Sequence, residues 1–317
     1  MSGSNNIKFY NMNEFQCDLP LVSFLVLTYN HEDFIYDTFM GAISQDYPNI
    51  EIIISDDASS DNTYERLEKL YENCNSDIKK NVTINKNIRN MGLVPHLNYI
   101  MDKFVHGNIV FLAGGDDISI STRVSESVDI FNIYSTVMAV TGQSMYINKF
   151  GEIINPQPFI IKEGTYKLDD YYIKSSTFMC GGAGLAFRKS LWDTFGPLLP
   201  FCPTEDSTLR FRALLLGEIY VSSKKIIKYR KHENNLSRPD NIFKLTTSGI
   251  VKQYKTDLLK AETCNLITNK VSRRLKMKIY LYKVERLFLM KKSTTNKFIK
   301  IIYIIPQKVI HFLFKYI

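Results

Sequence analysis

Two adjacent carboxylates, Asp116 and Asp117, follow the apolar run at residues 109–113 and a pair of glycines. Carboxylates at the end of a buried strand are costly unless a cation or a polar ligand lies opposite them. Asp56 and Asp57 form a second such pair, at the end of another apolar run. The two pairs are typical of a site that binds a metal ion together with a phosphate group.

Three short apolar runs, rich in β-branched residues, are separated by stretches with helical spacing. They cover residues 21–27, 50–55 and 109–113. This alternation predicts βαβ units of a parallel sheet, in which ligands bind beyond the carboxyl ends of the strands. The first run ends in Thr28, Tyr29 and Asn30. We therefore expect three polar strand ends to converge on one crevice.

Apolar spacing and capping residues predict the helices that connect these strands. The expected helices cover residues 34–43, residues 61–70 with Asp61 as N-cap, and residues 97–104. Beyond Asp117 the pattern is less regular. It predicts strands at residues 137–146 and 226–229, a glycine-rich stretch at residues 181–184, and a helix that begins at Glu205 and Asp206 and stops at Gly217.

The composition indicates a folded protein of the cytoplasm. The chain has 317 residues, of which 45% are hydrophobic and 13% aromatic, so it can bury a large core and is not a disordered protein. Its five cysteines are odd in number and scattered, without a CxxC pair or a His/Cys spacing suited to zinc. The polar first twenty residues lack the basic and then apolar order of a secretory signal.

Positive charge is concentrated near the C-terminus. Residues 270–317 carry thirteen Lys/Arg and one Glu, which is +12, so the net charge of +8 leaves the first 269 residues at −4. Apolar side chains recur along one predicted helix of this tail, at Leu275, Ile279, Tyr282, Val284, Leu287 and Phe288.

A second tail segment, residues 298–317, is rich in Ile, Phe and Tyr but is interrupted by lysines and Pro306. It falls short of the roughly 20 uninterrupted apolar residues of a spanning helix. We therefore expect the tail to bind the surface of an anionic membrane. The alternative is that these helices fold back on the rest of the chain or form a dimer interface.

Six motifs occur in one order along residues 20–237. They are LVLTYN at residues 25–30, SQDYPNIEI at residues 44–52, SDDASSDNT at residues 55–63, Gly115-Asp116-Asp117, Glu205-Asp206, and YRKH at residues 229–232. Together they closely resemble the family 2 glycosyltransferases of GT-A fold, of the kind that builds bacterial surface polysaccharides. The resemblance implies an α/β fold with a Rossmann-like mixed, mainly parallel sheet flanked by helices.

The resemblance also predicts the domain organisation. Residues 1–19 would be an N-terminal extension and residues 20–240 the GT-A catalytic domain. Within that domain, residues 20–120 would bind the nucleotide and residues 121–240 the acceptor. Residues 241–317 would form a C-terminal, helical, basic and membrane-associating region.

A UDP-sugar donor follows from the same resemblance. Tyr29 would stack near the base, with Thr28 and Asn30 beside it, and Asp57 would accept a hydrogen bond from the uracil N3–H. The alternative interpretation is that the carboxylates after the second strand form a solvated turn.

The divalent cation, Mn²⁺ or Mg²⁺, is likewise implied by the resemblance. Asp116 would contact the ribose or the metal, and Asp117 would ligate the metal directly. Gly115 stands where many relatives carry another Asp, which leaves one carboxylate fewer for the ion. His232 would be a further metal ligand or, with Arg230, would clamp the diphosphate and stabilise the charge of the leaving group.

Asp206 matches the catalytic base of the family, which takes the proton from the attacking acceptor hydroxyl. Such a reaction inverts the anomeric carbon and needs no covalent enzyme intermediate. Glu205 would orient the acceptor or the base, although acidic residues at the start of a helix are also common caps.

The expected activity is therefore transfer of a sugar from a UDP-sugar to a hydroxyl of a glycan or lipid-linked acceptor, such as O-antigen or capsule, at the inner face of the plasma membrane. The main alternative is a catalytically inactive, membrane-associated sugar-binding or assembly subunit. A sugar-nucleotide pyrophosphorylase would need a glycine-rich phosphate loop after the first strand, which residues 28–31 do not provide. Nucleic acid is not an expected partner, because no nucleic-acid-binding module accompanies the basic tail. The donor sugar, the acceptor and the oligomeric state are left open by the sequence.

Overall fold

A computed structural model describes residues 19–155, 162–168, 182–235 and 247–292 of the chain. The side chains of Thr247 and of residues 281–292 lie outside this description. The predictions made for residues 1–18, for Gly181, for residues 236–237 and for the apolar segment at residues 298–317 also lie outside it.

The strands of the described residues join in one mixed sheet. They are β1 (Val22–Thr28), β2 (Ile50–Asp56), β3 (Val82–Lys86), β4 (Ile109–Gly114), β5 (Ile118–Ser119), β6 (Val137–Ile147), β7 (Gly164–Tyr166), β8 (Ala186–Arg188) and β9 (Glu218–Arg230). Their spatial order is β3-β2-β1-β4-β8-β6-β9-β5, and β7 pairs with β9.

The first half of the sheet is parallel. β1 lies between β2 and β4, and β3 pairs with the far side of β2. The register places Thr28 beside Asp56 and Leu27 beside Gly114, so these strands end at one level. The β-branched and aromatic side chains of β1 are buried on both faces, as is usual for a parallel sheet covered by helices. The predicted βαβ organisation is confirmed.

Antiparallel strands extend the sheet in the second half. β8 joins β4 to β6, and β6 runs parallel to β9. The strand predicted at residues 226–229 is the end of the longer β9. The short β5, directly after Asp117, pairs Ile118 with Lys228 of β9. This pairing brings the end of β9 against the two carboxylates that follow β4.

Helices cover the sheet on both faces. They are α1 (Ile35–Ile43), α2 (Thr63–Glu72), α3 (Ser76–Lys79), α4 (Leu93–Lys103), α5 (Arg123–Ile133), α6 (Lys189–Phe195), α7 (Asp206–Leu216), α8 (Thr247–Thr263) and α9 (Asn269–Lys292). Asp61 accepts the backbone N–H of Thr63 at the start of α2, one residue before the N-cap Asn62. Gly217 follows the last residue of α7, as predicted.

Two apolar cores lie on opposite faces of the sheet. Leu25 and Phe187 face α4, α6 and α7 on one side, where Leu97 and Leu209 are fully buried. Phe24, on the opposite face, belongs to the core that includes residues of α1, α2 and α5. These cores fix the level at which the strands end, and therefore the positions of the polar residues that follow them.

The C-terminal helices α8 and α9 pack onto α7, in the second half of the fold. Phe211 of α7 is buried with Tyr254 of α8 and with Leu275 and Ile279 of α9 in a third apolar core. Two of the six tail residues predicted to face a membrane are therefore covered by the protein itself. The correction has a simple cause, because a helix needs the same apolar stripe to pack on a protein as to lie on a membrane. None of the helices in the described ranges is long and apolar enough to cross a membrane.

A buried ion pair fastens α8 to α7. Arg212 donates to Asp257 at 2.9 Å, and both side chains are 1% exposed. Gln253 donates to the same carboxylate oxygen and accepts the backbone N–H of Leu199. The helical extension is thus held by polar contacts that are specific in geometry as well as by the third core.

Candidate active site

The ends of β1, β2 and β4 meet at one edge of the sheet. The backbone N–H of Asp57 donates to the carbonyl of Thr28, and that of Gly115 donates to the carbonyl of Leu27. The chain therefore continues the strand pairing by one residue on each side of β1. The polar residues beyond these strands are neighbours for this reason, as the sequence predicted.

Tyr29 is 42% exposed and Asn30 next to it has a positive φ of 56°. Asn30 holds this turn because its side-chain oxygen accepts the backbone N–H of Ser60, and its own N–H donates to Ser59. Thr28 is buried. Of the three nucleotide-binding residues predicted at the end of β1, Tyr29 is the one that presents a large exposed side chain.

Asp57 is 3% exposed and accepts three hydrogen bonds from the chain. Its Oδ1 accepts from Asn87 Nδ2 at 2.7 Å and from the N–H of Met91 at 2.9 Å. Its Oδ2 accepts from the N–H of Gly92 at 2.8 Å. The carboxylate thereby closes the loop at residues 87–92 over the end of β2, and Oδ2 keeps acceptor capacity for one more donor.

Asp116 forms a polar cluster with the segment after β9. Its Oδ2 lies 2.9 Å from His232 Nε2 and accepts from Asn235 Nδ2 at 3.1 Å. Burial alone would raise the pKa of Asp116, but the hydrogen bond from His232 and the charges of His31 and His232 outweigh burial and lower this pKa. Asp116 is therefore held as a carboxylate beside an imidazole nitrogen.

Asp117 faces a different partner. Its Oδ1 accepts the backbone N–H of Arg230 at 2.8 Å, and its side chain is buried. Burial and the neighbouring charge of Asp116 raise the pKa of Asp117 well above its ordinary value. The structure thus brings His232 together with Asp116, whereas Asp117 contacts the end of β9.

Arg230 was predicted to clamp the diphosphate, and the structure corrects this prediction. Its guanidinium is 1% exposed and pairs with Asp37 of α1 at 2.7 Å. Its Nε donates to the carbonyl of Asp116, and its Nη1 to the carbonyls of Asn148 and Lys149. Since these bonds use most of its N–H groups, the guanidinium of Arg230 is engaged by the protein itself and holds the segment of the two carboxylates in place.

Position 115, where many relatives carry an Asp, has no room for a side chain in this protein. A Cβ atom at this position would overlap Thr28 Oγ1 and would lie 2.5 Å from His31 Nδ1. The same two side chains lie 3.2 Å apart and contact each other. A side chain at residue 115 would therefore displace the polar residues at the end of β1.

Glu205 and Asp206 lie at the start of α7, across the crevice from β4. A Cβ atom on Gly114 would meet Asp116 Oδ1 and Ala183, and one on Gly182 would overlap Glu205 Oε1. The 3-10 turn at Gly182–Gly184 is thus the bridge between the two acidic pairs. The described part of the predicted glycine-rich stretch serves this close approach.

The two acidic residues of α7 differ in environment. Burial and the neighbouring carboxylate of Asp206 raise the pKa of Glu205 to about 7. Asp206 has a side chain that is 23% exposed and accepts from Arg210 at 3.0 Å. Its Oδ1 accepts the N–H of Ser207, which belongs to the first turn of α7. Asp206 is thus the more exposed carboxylate of the two, and it lies at the first residue of α7 with a cationic partner.

Sequence reasoning missed three supporting residues. His31 lies with its ring centroid 6.3 Å from that of His232, and burial lowers its pKa. Asp37 holds Arg230, and Asn235 bonds to both Asp116 and the carbonyl of Arg230. Asn235 lies within the segment used for the family resemblance, but the partners of these residues are remote in sequence and left no local signal.

The side chains of Asp116 and His232 fit a divalent cation that also binds phosphate oxygens. Asp116 and His232 offer an oxygen and a nitrogen at one point, and cations that bridge a diphosphate commonly take only one or two protein side chains. The described residues contain no group of three or more His, Cys, Asp or Glu arranged as a closed metal site. A cation would therefore depend on the nucleotide for much of its coordination.

Comparison with known proteins decides the family. Residues 23–195, more than half of the chain, match the family described as Glycosyl transferase family 2. The chain belongs to this family.

Two bacterial relatives resemble this family 2 chain in sequence. It is 33% identical over 111 residues to the UDP-Glc:alpha-D-GlcNAc-diphosphoundecaprenol beta-1,3-glucosyltransferase WfaP of Escherichia coli. It is 29% identical over 152 residues to the putative glycosyltransferase EpsE of Bacillus subtilis. These alignments cover 35% and 46% of the chain, and 41% and 53% of the respective relatives. The chain thus spans about half or less of the length of these relatives.

Solved structures confirm the predicted GT-A fold of this family 2 chain. The structure of S. aureus TarS 1-349 in complex with UDP-GlcNAc superposes with a TM-score of 0.62 at 18% identity, covering 86% of this chain and 74% of TarS 1-349. The mannosyltransferase PcManGT from Pyrobaculum calidifontis, in complex with GDP-Man and Mn²⁺, superposes with a TM-score of 0.54 at 17% identity, covering 92% of this chain and 80% of PcManGT.

Proposed function

We propose that this protein is an inverting, metal-dependent glycosyltransferase that moves a sugar from a UDP-sugar to a hydroxyl of a bacterial glycan or lipid-linked acceptor. One observation carries the proposal. Tyr29, Asp57 and the Asp116–His232 pair follow the carboxyl ends of neighbouring strands, and the 3-10 turn beside Gly114 links them to Asp206 at the start of α7, so a base site, a diphosphate site and a proton acceptor would be adjacent. The family and the names of its relatives support the same activity.

The donor half of the site would hold the nucleotide. Tyr29 would stack on the base, and Asp57 Oδ2 would accept the uracil N3–H. Asp116 and His232 would hold Mn²⁺ or Mg²⁺, which when bound would neutralise charge on the diphosphate leaving group. Asp117 and Arg230 would keep the Asp116 segment in place through their mutual contact.

Asp206 would act on the acceptor. Its carboxylate would take the proton from the acceptor hydroxyl while the hydroxyl oxygen bonds to the anomeric carbon and the bond from that carbon to the phosphate oxygen breaks. The sugar would be inverted and UDP would leave with the electron pair. Glu205, whose pKa of about 7 keeps it partly protonated at neutral pH, would donate a hydrogen bond or orient the acceptor.

An inactive sugar-binding subunit is the second candidate, and the partial exposure of the Asp206 carboxylate argues against it. Binding a sugar nucleotide alone does not require an accessible carboxylate opposite the donor site. The direct experiment is a panel of UDP-, GDP-, CDP- and dTDP-sugars tested for Mn²⁺-dependent hydrolysis. We expect release of UDP from one UDP-sugar. Absence of hydrolysis or transfer with every donor, at concentrations that saturate binding, would favour the inactive subunit.

The basic tail would attach the enzyme to an anionic membrane at the inner face of the plasma membrane. Since Leu275 and Ile279 are covered by the protein, the attaching segment would start after Tyr280. Residues 281–317 carry eight Lys/Arg and one Glu, and each basic residue near an anionic surface contributes roughly 1 kcal/mol. The full chain should float with anionic vesicles at low salt and not with neutral ones, and a chain ending at Tyr280 should not float. Flotation of the shortened chain, or none of the full chain, would contradict this attachment.

A further inference from the structure

A chain of buried polar side chains lies beneath Asp57. Ser55 Oγ is 2.7 Å from His96 Nε2 and accepts from Asn85 Nδ2 at 2.8 Å. Asn85 Nδ2 also donates to Asn87 Oδ1 at 3.1 Å, and Asn87 Nδ2 donates to Asp57 Oδ1 at 2.7 Å. The bonds form one connected path from the interior of the fold to the carboxylate proposed to read the base.

The path closes on itself through α4. Asp57 accepts the N–H groups of Met91 and Gly92, directly before α4. His96 lies one turn into this helix, where its own N–H donates to the carbonyl of Gly92. The start of α4 is therefore held at Gly92 by Asp57 and at His96 by Ser55. Any tilt of this helix would break bonds at both points.

Burial makes this hydrogen-bond network stiff. Ser55 is fully buried, His96 is 2% exposed and Asn87 is 8% exposed. A buried polar group that loses its partner costs roughly 1–3 kcal/mol, so each member is confined to the geometry that satisfies the next. Apolar side chains would fill this space without such constraints, and Asp57 would then be held only by the N–H groups of Met91 and Gly92.

The hydrogen-bond directions suit a neutral His96. Ser55 Oγ accepts from Asn85, so its own hydrogen is available to His96 Nε2, which then acts as an acceptor. Burial lowers the pKa of His96, in keeping with the neutral form. Asn87 and two backbone N–H groups occupy three acceptor positions of Asp57. What remains is an acceptor position on Oδ2.

We infer that His96, Ser55, Asn85 and Asn87 are positioning residues for nucleobase selection, because they hold Asp57 so that its remaining acceptor position meets a ring N–H of the donor base. A fixed carboxylate accepts from the N3–H of uracil. It repels cytosine, whose N3 is itself an acceptor and whose ring has the same size. The network would therefore set the preference for UDP over CDP, and the inference rests on the proposed UDP-sugar donor.

The test compares two variants of nearly equal shape. His96→Met removes the ring nitrogen that faces Ser55, whereas His96→Gln keeps a polar group at the end of the side chain. Calorimetric titration with UDP and with CDP, both with Mn²⁺, gives the ratio of the two affinities. We expect His96→Met to lower the UDP-over-CDP ratio about fivefold, the effect of roughly one hydrogen bond, with the loss on the UDP side. His96→Gln should keep the ratio within about twofold of wild type.

Two further variants keep the inference testable if His96→Met does not fold. Asn87→Ala lies in a loop and removes the direct donor to Asp57, so it should lower the ratio to a similar extent. Ser127→Ala removes a buried hydroxyl of α5 that donates to the carbonyl of Arg123 in the same helix, and it should leave the ratio unchanged.

The outcomes separate this inference from the proposed donor. A wild-type protein that binds UDP no better than CDP would contradict both. If the wild type prefers UDP and both His96→Met and Asn87→Ala keep that preference, with lowered melting temperatures only, the donor stands and the network is structural.

Discussion

Glu205 should make the stability of the protein depend on pH, and Glu205→Gln should remove that dependence. The residue lies at the start of α7 with only 9% of its surface exposed, next to Asp206 and against Gly182. Desolvation first, and the charge of Asp206 second, raise its pKa from 4.5 to about 7. Glutamine has the shape of the protonated glutamic acid and carries no charge at any pH.

The magnitude follows from the pKa. Each tenfold difference in proton affinity corresponds to about 1.4 kcal/mol, so ionised Glu205 destabilises the fold by about 3 kcal/mol. Below pH 4.5 the group is protonated in both the folded and the unfolded chain, and the stability it contributes is fully present. As the pH rises towards about 7, the unfolded chain releases the proton while the folded chain still binds it, so the free energy of unfolding falls.

Urea unfolding of the metal-free protein at pH about 4.5 and about 8 measures this effect. Glu205→Gln should be more stable than wild type by about 3 kcal/mol at the higher pH and nearly equal to it at the lower pH. Glu68→Gln, at an exposed position of α2, is the matched control and should change neither value by more than about 0.5 kcal/mol. Equal stability of wild type and Glu205→Gln at pH about 8 would show that Glu205 is ionised in the fold without penalty, and the reasoning would be wrong.

Two other substitutions test the metal site and the C-terminal helices. Asp116→Ala should abolish the gain in UDP affinity that Mn²⁺ gives, because it removes the carboxylate beside His232. Calorimetric titration with UDP, with and without Mn²⁺, measures this gain. A gain equal to that of the wild type would place the cation elsewhere. Asp257→Ala should lower the free energy of unfolding by about 3–5 kcal/mol, because it leaves Arg212 buried without its counter-charge. Urea unfolding measures the loss, and a change below about 1 kcal/mol would mean that α8 is not fastened by this pair.

The sequence predicted the parallel half of the sheet well because that half depends on local patterns. Each buried strand is a run of β-branched residues, and each run ends in polar residues that cannot continue it. Residues at the ends of neighbouring parallel strands must meet, so the approach of Asp57 to Thr28 followed from the topology alone. The start of α7 was predictable for a similar reason, since acidic residues precede its apolar face.

Arg230 shows where this reasoning fails. An arginine beyond a strand end, next to a predicted phosphate site, is typical of a ligand contact. Its actual partner, Asp37, lies 193 residues away in sequence and meets the buried guanidinium only in the fold. The resemblance predicts that Asp117 ligates the metal directly, but no local pattern shows that these adjacent residues have different partners once β5 pairs with β9. Asp116 lies beside His232, and Asp117 accepts the backbone N–H of Arg230.

The tail illustrates a different limit. Leu275 and Ile279 form an apolar stripe among basic residues, and a stripe of this kind is equally suited to a lipid surface and to another helix. Only the packing against Phe211 and Tyr254 decides between the two.

Turnover by Asp206→Asn tests the central claim most directly. The donor identified in the panel is supplied at saturating concentration with an acceptor, and UDP release and UDP affinity are measured for the wild type and the variant. The account predicts that the variant binds UDP as the wild type does and transfers sugar at least roughly a hundredfold more slowly, since general-base assistance is lost. Transfer by Asp206→Asn at a rate close to that of the wild type would contradict the account.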